Sequence, residues 1–259
     1  MRKSLPNEQR IHSLLAPDTP INIFVYDTVE STNKEAKRYC LDENPLPALF
    51  VARGQSLGRG RLGRSFDSMR DKGLYMTLAF KPNAKASPHS LTLSAGCAVL
   101  FAIRELTGVT PKIKWVNDII IDQRKIAGIL AEGAFSADGN MSYAIVGIGV
   151  NIKKRAFQKE LEAKAGTLEE QAKSTPDINA LAAEITNRFF ALAKDFDATL
   201  EAYRTHLDTL GRRILVTGKE SDFSCIAKGL DDAGNLIIER DDGSEDKLFF
   251  GEISVINQY

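Results

Sequence analysis

The chain is poor in the residues that usually announce chemistry. Its 259 residues include three cysteines, three histidines and one tryptophan, and 34 basic side chains are matched by 34 acidic ones. Cys40, Cys97 and Cys225 are odd in number and far apart, so they offer neither a disulfide framework nor a zinc spacing. They point to a reducing, cytoplasmic compartment. His12, His89 and His206 are equally dispersed and form no His-Glu-x-x-His pattern, which sets aside a zinc hydrolase or a histidine relay. Zero net charge is unlike a protein whose main work is gripping a nucleic-acid backbone. The start, Met1-Arg-Lys-Ser-Leu-Pro6, lacks the apolar core of a signal peptide. No apolar run approaches the roughly 20 residues of a spanning helix, so no membrane association is expected.

Charge is balanced over the whole chain but not along it. From Asn44 to Phe66 there is no acidic residue, while Arg53, Arg59, Arg61 and Arg64 all fall inside that window. Gly58-Arg-Gly-Arg-Leu-Gly-Arg64 combines a backbone bared by glycines with guanidinium forks that stay charged at physiological pH, the composition of a phosphate-holding loop. Gly58, Gly60 and Gly63 also satisfy Gly-x-Gly-x-x-Gly. However, the turn-rich stretch after Arg64 opens no helix, and no carboxylate stands near Lys81 to take a ribose, which argues against a dinucleotide fold.

Periodicity organises the rest. Ile21–Tyr26, Ala48–Ala52 and Leu74–Phe80 read as strands, and a helix is expected from Thr32, with Glu35 at capping-box spacing. Leu91, Ala95, Ala98, Val99, Ala102 and Leu106 form a helical stripe closing at Gly108. Strands follow at 112–116, 119–121, 126–133 and 143–150. The charged stretch 153–173 reads as a mobile connection with short helical pieces, and Pro176-Asp177 opens a helix whose apolar face runs Ile178, Leu181, Ile185, Phe189, Leu192, Phe196. From Ile214 short strands alternate with Asp231–Asn235 and Asp241–Gly243 turn clusters, the pattern of a small closed β-barrel. The fold class expected is α+β: a mixed or antiparallel sheet with helices, followed by that barrel.

Three further segments carry candidate chemistry, each with a plainer reading beside it. Asn117-Asp118 at the end of Lys114-Trp-Val-Asn-Asp118 is either a turn or an oxygen pair able to share Mg²⁺ with nucleotide phosphates. Lys125, ahead of an apolar strand, is either a hairpin lysine or a cation at the core's edge. Gly147-Ile-Gly-Val-Asn151 is either a bulged strand or a place where another group comes close to the backbone.

In their order and spacing these segments resemble the biotin protein ligases, or biotin–[acetyl-CoA-carboxylase] ligases. The resemblance rests on Glu30-Ser31-Thr32-Asn33, on Gln55 ahead of the arginine loop, on Lys-Trp-x-Asn-Asp, on Lys125-x-Ala-Gly-Ile-Leu-x-Glu132 and on Gly-x-Gly-x-Asn151. It runs from Ile21 to Asn151 and resumes at Leu210-Gly-Arg212 and Gly251-Glu-Ile-Ser254. It implies a catalytic domain over 1–208, of the class II aminoacyl-tRNA-synthetase-like kind, and an SH3-like barrel over 209–259. The implied reaction makes biotinyl-5′-AMP from biotin and ATP with Mg²⁺, then passes biotin to a lysine of a biotin carboxyl carrier domain.

By the same resemblance Ser31, Thr32, Asn33, Gln55, Arg59, Gly60, Arg61 and Lys125 bind biotin. Gly58, Arg59, Arg61, Arg64, Phe66, Asn117 and Asn151 bind ATP, Asn117 and Asp118 hold the metal, and Arg59, Arg61 and Lys125 are catalytic. The alternatives are a lipoate–protein ligase, whose family lacks this arginine loop, and a nucleic-acid-binding regulatory module. A homodimer is left open.

The chain also departs from the family pattern. Val116 stands where proline is common, Phe66 where tryptophan is frequent and Ile256 where some members have arginine, and no tryptophan follows Asn151 to cover adenine. With so little chain ahead of Ile21 to make a winged helix, the ligase-only form is expected, with no specific DNA binding.

Overall fold

The computed structural model describes residues 5–173, 175–217, 222–249 and 251–256; Met1–Ser4, used above in the reading of the N-terminus, lie outside it. The elements in order are α1 (Glu8–Leu14), β1 (Asn22–Tyr26), α2 (Thr32–Leu41), β2 (Ala48–Ala52), β3 (Gly73–Phe80), α3 (Pro88–Thr107), β4 (Lys112–Lys114), β5 (Asp118–Ile121), β6 (Arg124–Phe135) and β7 (Met141–Asn151). Helices α4 (Leu168–Gln171), α5 (Ile178–Leu192) and α6 (Phe196–His206) follow. The C-terminal strands are β8 (Arg213–Thr217), β9 (Phe223–Leu230), β10 (Leu236–Glu239), β11 (Glu245–Leu248) and β12 (Glu252–Val255).

The first seven strands form one mixed sheet in the order β1-β2-β3-β7-β6-β5-β4, parallel only between β1 and β2. Its central strands are buried on both faces, and alternation divides their side chains between two helical layers. Leu49, Val51, Leu74, Met76, Leu78, Val146, Ile148 and Val150 face the large core that includes α3 and α5. Ala48, Phe50, Ala79 and Ile145 point the other way, onto Ala36 and Cys40 of α2.

Local chemistry sets the helix ends. Ser87 and Ser90 close a reciprocal capping box at the start of α3, Pro88 takes its first turn, and Gly108 ends it at φ 76°. By length and composition α3 is apolar enough to cross a membrane, contrary to the sequence expectation. Yet 67% of that apolar window is buried inside the protein, as befits the central helix of a core.

Three other expectations are corrected and one helix is added. Ser31, not Thr32, is the N-cap of α2, and it makes no side-chain cap bond. Thr32 is already helical and its hydroxyl turns to Gln55. The stripe through Phe196 is two helices, because Asp195 caps a new one by accepting from the Ala198 N–H. The helix α1, missed in the sequence, is capped by Asn7 and buries Ile11. The 153–173 segment is pinned to the sheet rather than loose: Lys125 N–H donates to Lys164 O (2.7 Å), Gly166 N–H to Lys125 O (3.0 Å) and Glu169 N–H to Ile152 O (2.9 Å).

The last five strands form an antiparallel sheet in the order β11-β10-β9-β8-β12, where the small barrel was expected. Its apolar side, including Ile214, Val216, Cys225, Ala227, Leu236 and Ile238, is continuous with the main core. Trp115, the one tryptophan, donates its Nε1–H to Gly234 O (3.2 Å) and so ties the two sheets. His89, near the start of α3, lies against the same Trp115 ring, and its Nε2 is shielded from solvent with no hydrogen-bond partner among the described residues.

Burial holds the His89 imidazole below the usual 6.5, reinforced by Arg61 and opposed by the neighbouring Gly234 backbone and by Asp231. The folded pKa is therefore lower than the unfolded one. As pH falls through 6.5 the unfolded chain takes up a proton that the folded chain refuses, and stability is lost. The melting temperature should drop more for wild type than for His89→Gln between about pH 8 and about pH 5.5. Equal drops would place the acid sensitivity elsewhere.

Candidate active site

Helix α2 covers only part of its face of the sheet. Beyond its first turn the rows that would carry core side chains carry Thr77, Gly147, Gly149 and Gly128 instead, and an open cleft lies there. The glycines are required by what lies on them. A Cβ at Gly147 would stand 2.1 Å from Asn33 Oδ1, one at Gly149 2.5 Å from Phe66 Cε1, and one at Gly128 2.9 Å from Lys125 Cε. Gly128 and Gly149 are register partners on β6 and β7, so together they form a floor without side chains.

Lys125 reaches this floor through a bulge. Between the pairs Ile119↔Ala127 and Ile120↔Lys125 the register shifts, leaving Ile126 extra. Both Ile126 and Ala127 then face the core, and the side chain of Lys125 is turned to the opposite face, over Gly128. Its Nζ stands 2.6 Å from Asp118 Oδ1, a close ion pair, and 5.9 Å from the centre of the Phe66 ring.

At the α2 end a neutral polar chain runs along the floor. Thr77 Oγ1 lies 2.7 Å from Asn33 Oδ1 and 2.8 Å from Thr32 Oγ1, its single proton serving one of them. The Thr32 backbone N–H donates to Gln55 Oε1 (2.8 Å), as does its hydroxyl (3.1 Å). Gln55 Nε2 donates to Ser68 Oγ (2.7 Å), and Asn33 Nδ2 donates to Glu132 Oε2 (2.9 Å). Thr77 is fully buried and Ser31, Thr32 and Asn33 nearly so. Such a network is stable in a core only because its members satisfy one another.

The arginine loop folds over this floor as a hairpin-like excursion. Phe66 N–H donates to Gly58 O (2.9 Å) and Gly60 N–H to Arg64 O (2.8 Å). With Arg64 N–H donating to Arg61 O (3.1 Å), three of its backbone donors are spent within the loop, while the guanidinium groups of Arg59 and Arg61 reach the cleft. Gly58 serves this closure, since a Cβ there would stand 2.3 Å from Phe66 O. Arg61 donates from Nη1 to Asn117 Oδ1 (2.9 Å) and from Nη2 to Gly251 O (3.3 Å), bridging the turn ahead of β5 to the residue ahead of β12. Arg59 is half-exposed, with Nη1 3.8 Å from Glu132 Oε1.

Ser31, Thr32, Asn33, Gln55, Arg59, Gly60, Arg61, Phe66, Asn117 and Lys125 therefore line one cleft. Gly58, Arg64, Asp118 and Asn151 do not line it: Gly58 closes the loop, Arg64 is exposed, and Asp118 pairs with Lys125. Asn151 lies buried further along β7, accepting at Oδ1 from Arg155 Nη2 (3.0 Å).

The oxygen pair expected to hold Mg²⁺ faces cations of the protein itself, Asn117 Oδ1 toward Arg61 and Asp118 Oδ1 toward Lys125. No group of three or more His, Cys, Asp or Glu able to hold a metal occurs among the described residues. A divalent ion beside those two cations would be repelled, so this pair does not fit a protein-held magnesium. Sequence reasoning missed Thr77, Ser68, Glu132 as a partner of Asn33, and Arg155. Only the position of Glu132 within the Lys125 segment was legible.

Because the Phe66 ring rests on bare backbone, Gly149→Ala should overpack the floor and cost about 1–3 kcal/mol. Removing the ring by Phe66→Ala should return part of that loss in the double variant, read as a coupling in denaturant unfolding. Strict additivity would mean that the ring and Gly149 do not touch.

Comparison with known proteins accords with this fold. Residues 25–151 match the model of the Biotin/lipoate A/B protein ligase family, and residues 209–255 match the Biotin protein ligase C terminal domain. The chain is 30% identical over 246 residues to the bifunctional ligase/repressor BirA of Bacillus subtilis, covering 90% of this chain and 74% of that protein. It is 28% identical over 201 residues to the biotin–[acetyl-CoA-carboxylase] ligase of Mycobacterium tuberculosis, covering 74% of this chain and 73% of that one. Among solved structures, the biotin protein ligase from Aquifex aeolicus in complex with biotin and ATP superposes with a TM-score of 0.76 at 26% identity, over 92% of this chain and 99% of that one. The biotin protein ligase from Leishmania major in complex with biotinyl-5-AMP gives 0.64 at 26% identity, over 89% and 99%. With its fold and the segments that form both of its sheets matched, the chain belongs to the biotin protein ligase family.

Proposed function

We propose that this protein is an ATP-dependent biotin ligase, which forms biotinyl-5′-AMP and transfers the biotinyl group to a lysine amine of a carrier domain. The observation that carries this reading is that one cleft holds two chemistries. Ser31, Thr32, Asn33 and Gln55 line it with uncharged donors and acceptors, while Arg61, Lys125 and Arg59, the last reaching Glu132 beside Asn33, line it with positive charge. Uncharged partners suit a neutral ureido ring. The cations suit the encounter of two anions, a carboxylate and an α-phosphate.

In the first step the biotin carboxylate oxygen bonds to the α-phosphorus while the bond to the β-phosphate bridging oxygen breaks and pyrophosphate leaves. Attack of one anion on another is slow unless fixed positive charge cancels their repulsion and meets the charge developing on the phosphoryl oxygens. Lys125 lines the cleft with its stem against Gly128 and its ammonium beside Asp118. Arg61 is held by Asn117 and the Gly251 carbonyl, so its orientation is set before a nucleotide arrives. In the second step a lysine amine attacks the acyl carbon, and AMP leaves with the former carboxylate oxygen. On this reading the nucleotide lies along Gly149 to Asn151, and residues 1–208 hold both ligand sites while the C-terminal sheet reaches them through Gly251. A reducing, cytoplasmic setting fits the three free, buried cysteines. Magnesium, where it takes part, would be carried by nucleotide phosphates and water rather than by Asn117 and Asp118.

Calorimetric titration with biotin should give saturable binding, and titration with lipoate should give none at the same concentrations. Tighter binding of lipoate would move the chain to the other branch of its family. Lys125→Gln keeps most of the stem and removes the charge. It should slow single-turnover pyrophosphate release by about tenfold or more, the scale of a lost charge-assisted contact, with the fold intact by circular dichroism. An unchanged rate would return Lys125 to the status of a partner for Asp118 alone.

A further inference from the structure

Arg155, on the segment after β7, is the most deeply buried charge near the cleft, yet nothing in the ligase reading uses it. Its side chain is 2% exposed. Nη1 pairs with Asp67 Oδ2 at 3.0 Å, and Nη2 donates to the Asp67 carbonyl (2.9 Å) and to Asn151 Oδ1 (3.0 Å). The guanidinium plane is covered by the Phe157 ring, 4.5 Å away, and Nε has no hydrogen-bond partner among the described residues. Burying a guanidinium this way is unfavourable unless its partners hold it in one geometry.

Those partners are telling. Asp67 follows Phe66, the aromatic cover of the floor, and Asn151 is two residues along β7 from Gly149, on which that ring rests. Arg155 thus clasps the exit of the arginine loop to the strand beneath it. The neutral polar end at Gly147 lies four residues from Asn151, about 13 Å along the strand.

We propose that Arg155 is a positioning residue for the nucleotide end of the cleft, holding Phe66 over Gly149 and fixing the amide of Asn151, with Phe157 as the lid of the clasp. With Oδ1 accepting from Arg155 Nη2, the Asn151 amide is held in one orientation two residues from Gly149, so the strand under the Phe66 ring is anchored at that end. The inference rests on the ligase reading and extends it to residues outside the resemblance.

The test uses the full chain and pyrophosphate release with biotin and ATP varied separately. Wild type is measured first: no biotin-dependent pyrophosphate release would sink the ligase reading itself, whatever Arg155 does. With wild type active, Arg155→Met should raise KM for ATP by about tenfold or more while shifting KM for biotin far less. Arg155→Lys, which keeps charge but not the fork, should recover only part of the loss. Asp67→Asn leaves Arg155 in place and should show the same split between the two substrates, so the proposal stays testable if Arg155→Met fails to fold. Equal changes in both KM values, or no change in either across the soluble variants, would reduce Arg155 to a structural ion pair.

Discussion

The site depends on one constraint: a side chain can lie flat on a β-sheet only where the strands beneath it lack Cβ atoms. At Gly128, Gly147 and Gly149 the sheet meets it, and Lys125, Asn33 and Phe66 occupy the space that would otherwise belong to alanine or larger. Elsewhere on the same face Ala79, Ile145 and Phe50 pack under α2 in the ordinary way. The change from packed to bare rows, in strands that continue without interruption, converts part of a hydrophobic core surface into a floor. The opposite face keeps Val146, Ile148 and Val150 fully in the core, so the strands remain firmly held while their other side is open.

Around that floor each cation is oriented by a neutral or acidic partner. Lys125 leans on Asp118, Arg61 on Asn117 and the Gly251 carbonyl, and Arg155 on Asp67 and Asn151. These contacts keep long side chains in place and limit the reorganisation needed when an anion arrives. They also join parts distant in sequence. Arg61 and Gly251 connect the loop to the C-terminal sheet, whose core is continuous with the rest, so the C-terminal unit is built into the site's support rather than appended to it.

Much of this was legible in residue order. Alternation marked the strands, Ser87 and Gly108 bounded the central helix, and the glycine-arginine loop announced an anion by composition. The places where sequence reading failed share a cause. Thr32 sits at capping-box spacing from Glu35, yet its hydroxyl has better partners across the sheet at Gln55 and Thr77. The 153–173 stretch looked loose because its own residues are charged, but its backbone bonds to Lys125 and Ile152, which are distant in sequence. Asn117 and Asp118 look like metal ligands until Arg61 and Lys125 are seen to face the same oxygens.

By itself the sequence determined the family, the α+β class, the concentration of positive charge in one loop and most of the residues lining the cleft. The class and the charge follow from residue type and spacing along one chain, and the family and the lining residues from the resemblance its motifs carry. Tertiary structure decided which glycine lies under which side chain, that the bulge at Ile126 turns Lys125 to the open face, and that Arg155 clasps Asp67 to Asn151. Those outcomes hang on strand register and on contacts between distant segments. A one-residue change of register sends a side chain to the other face of a sheet, and no local pattern records which register wins.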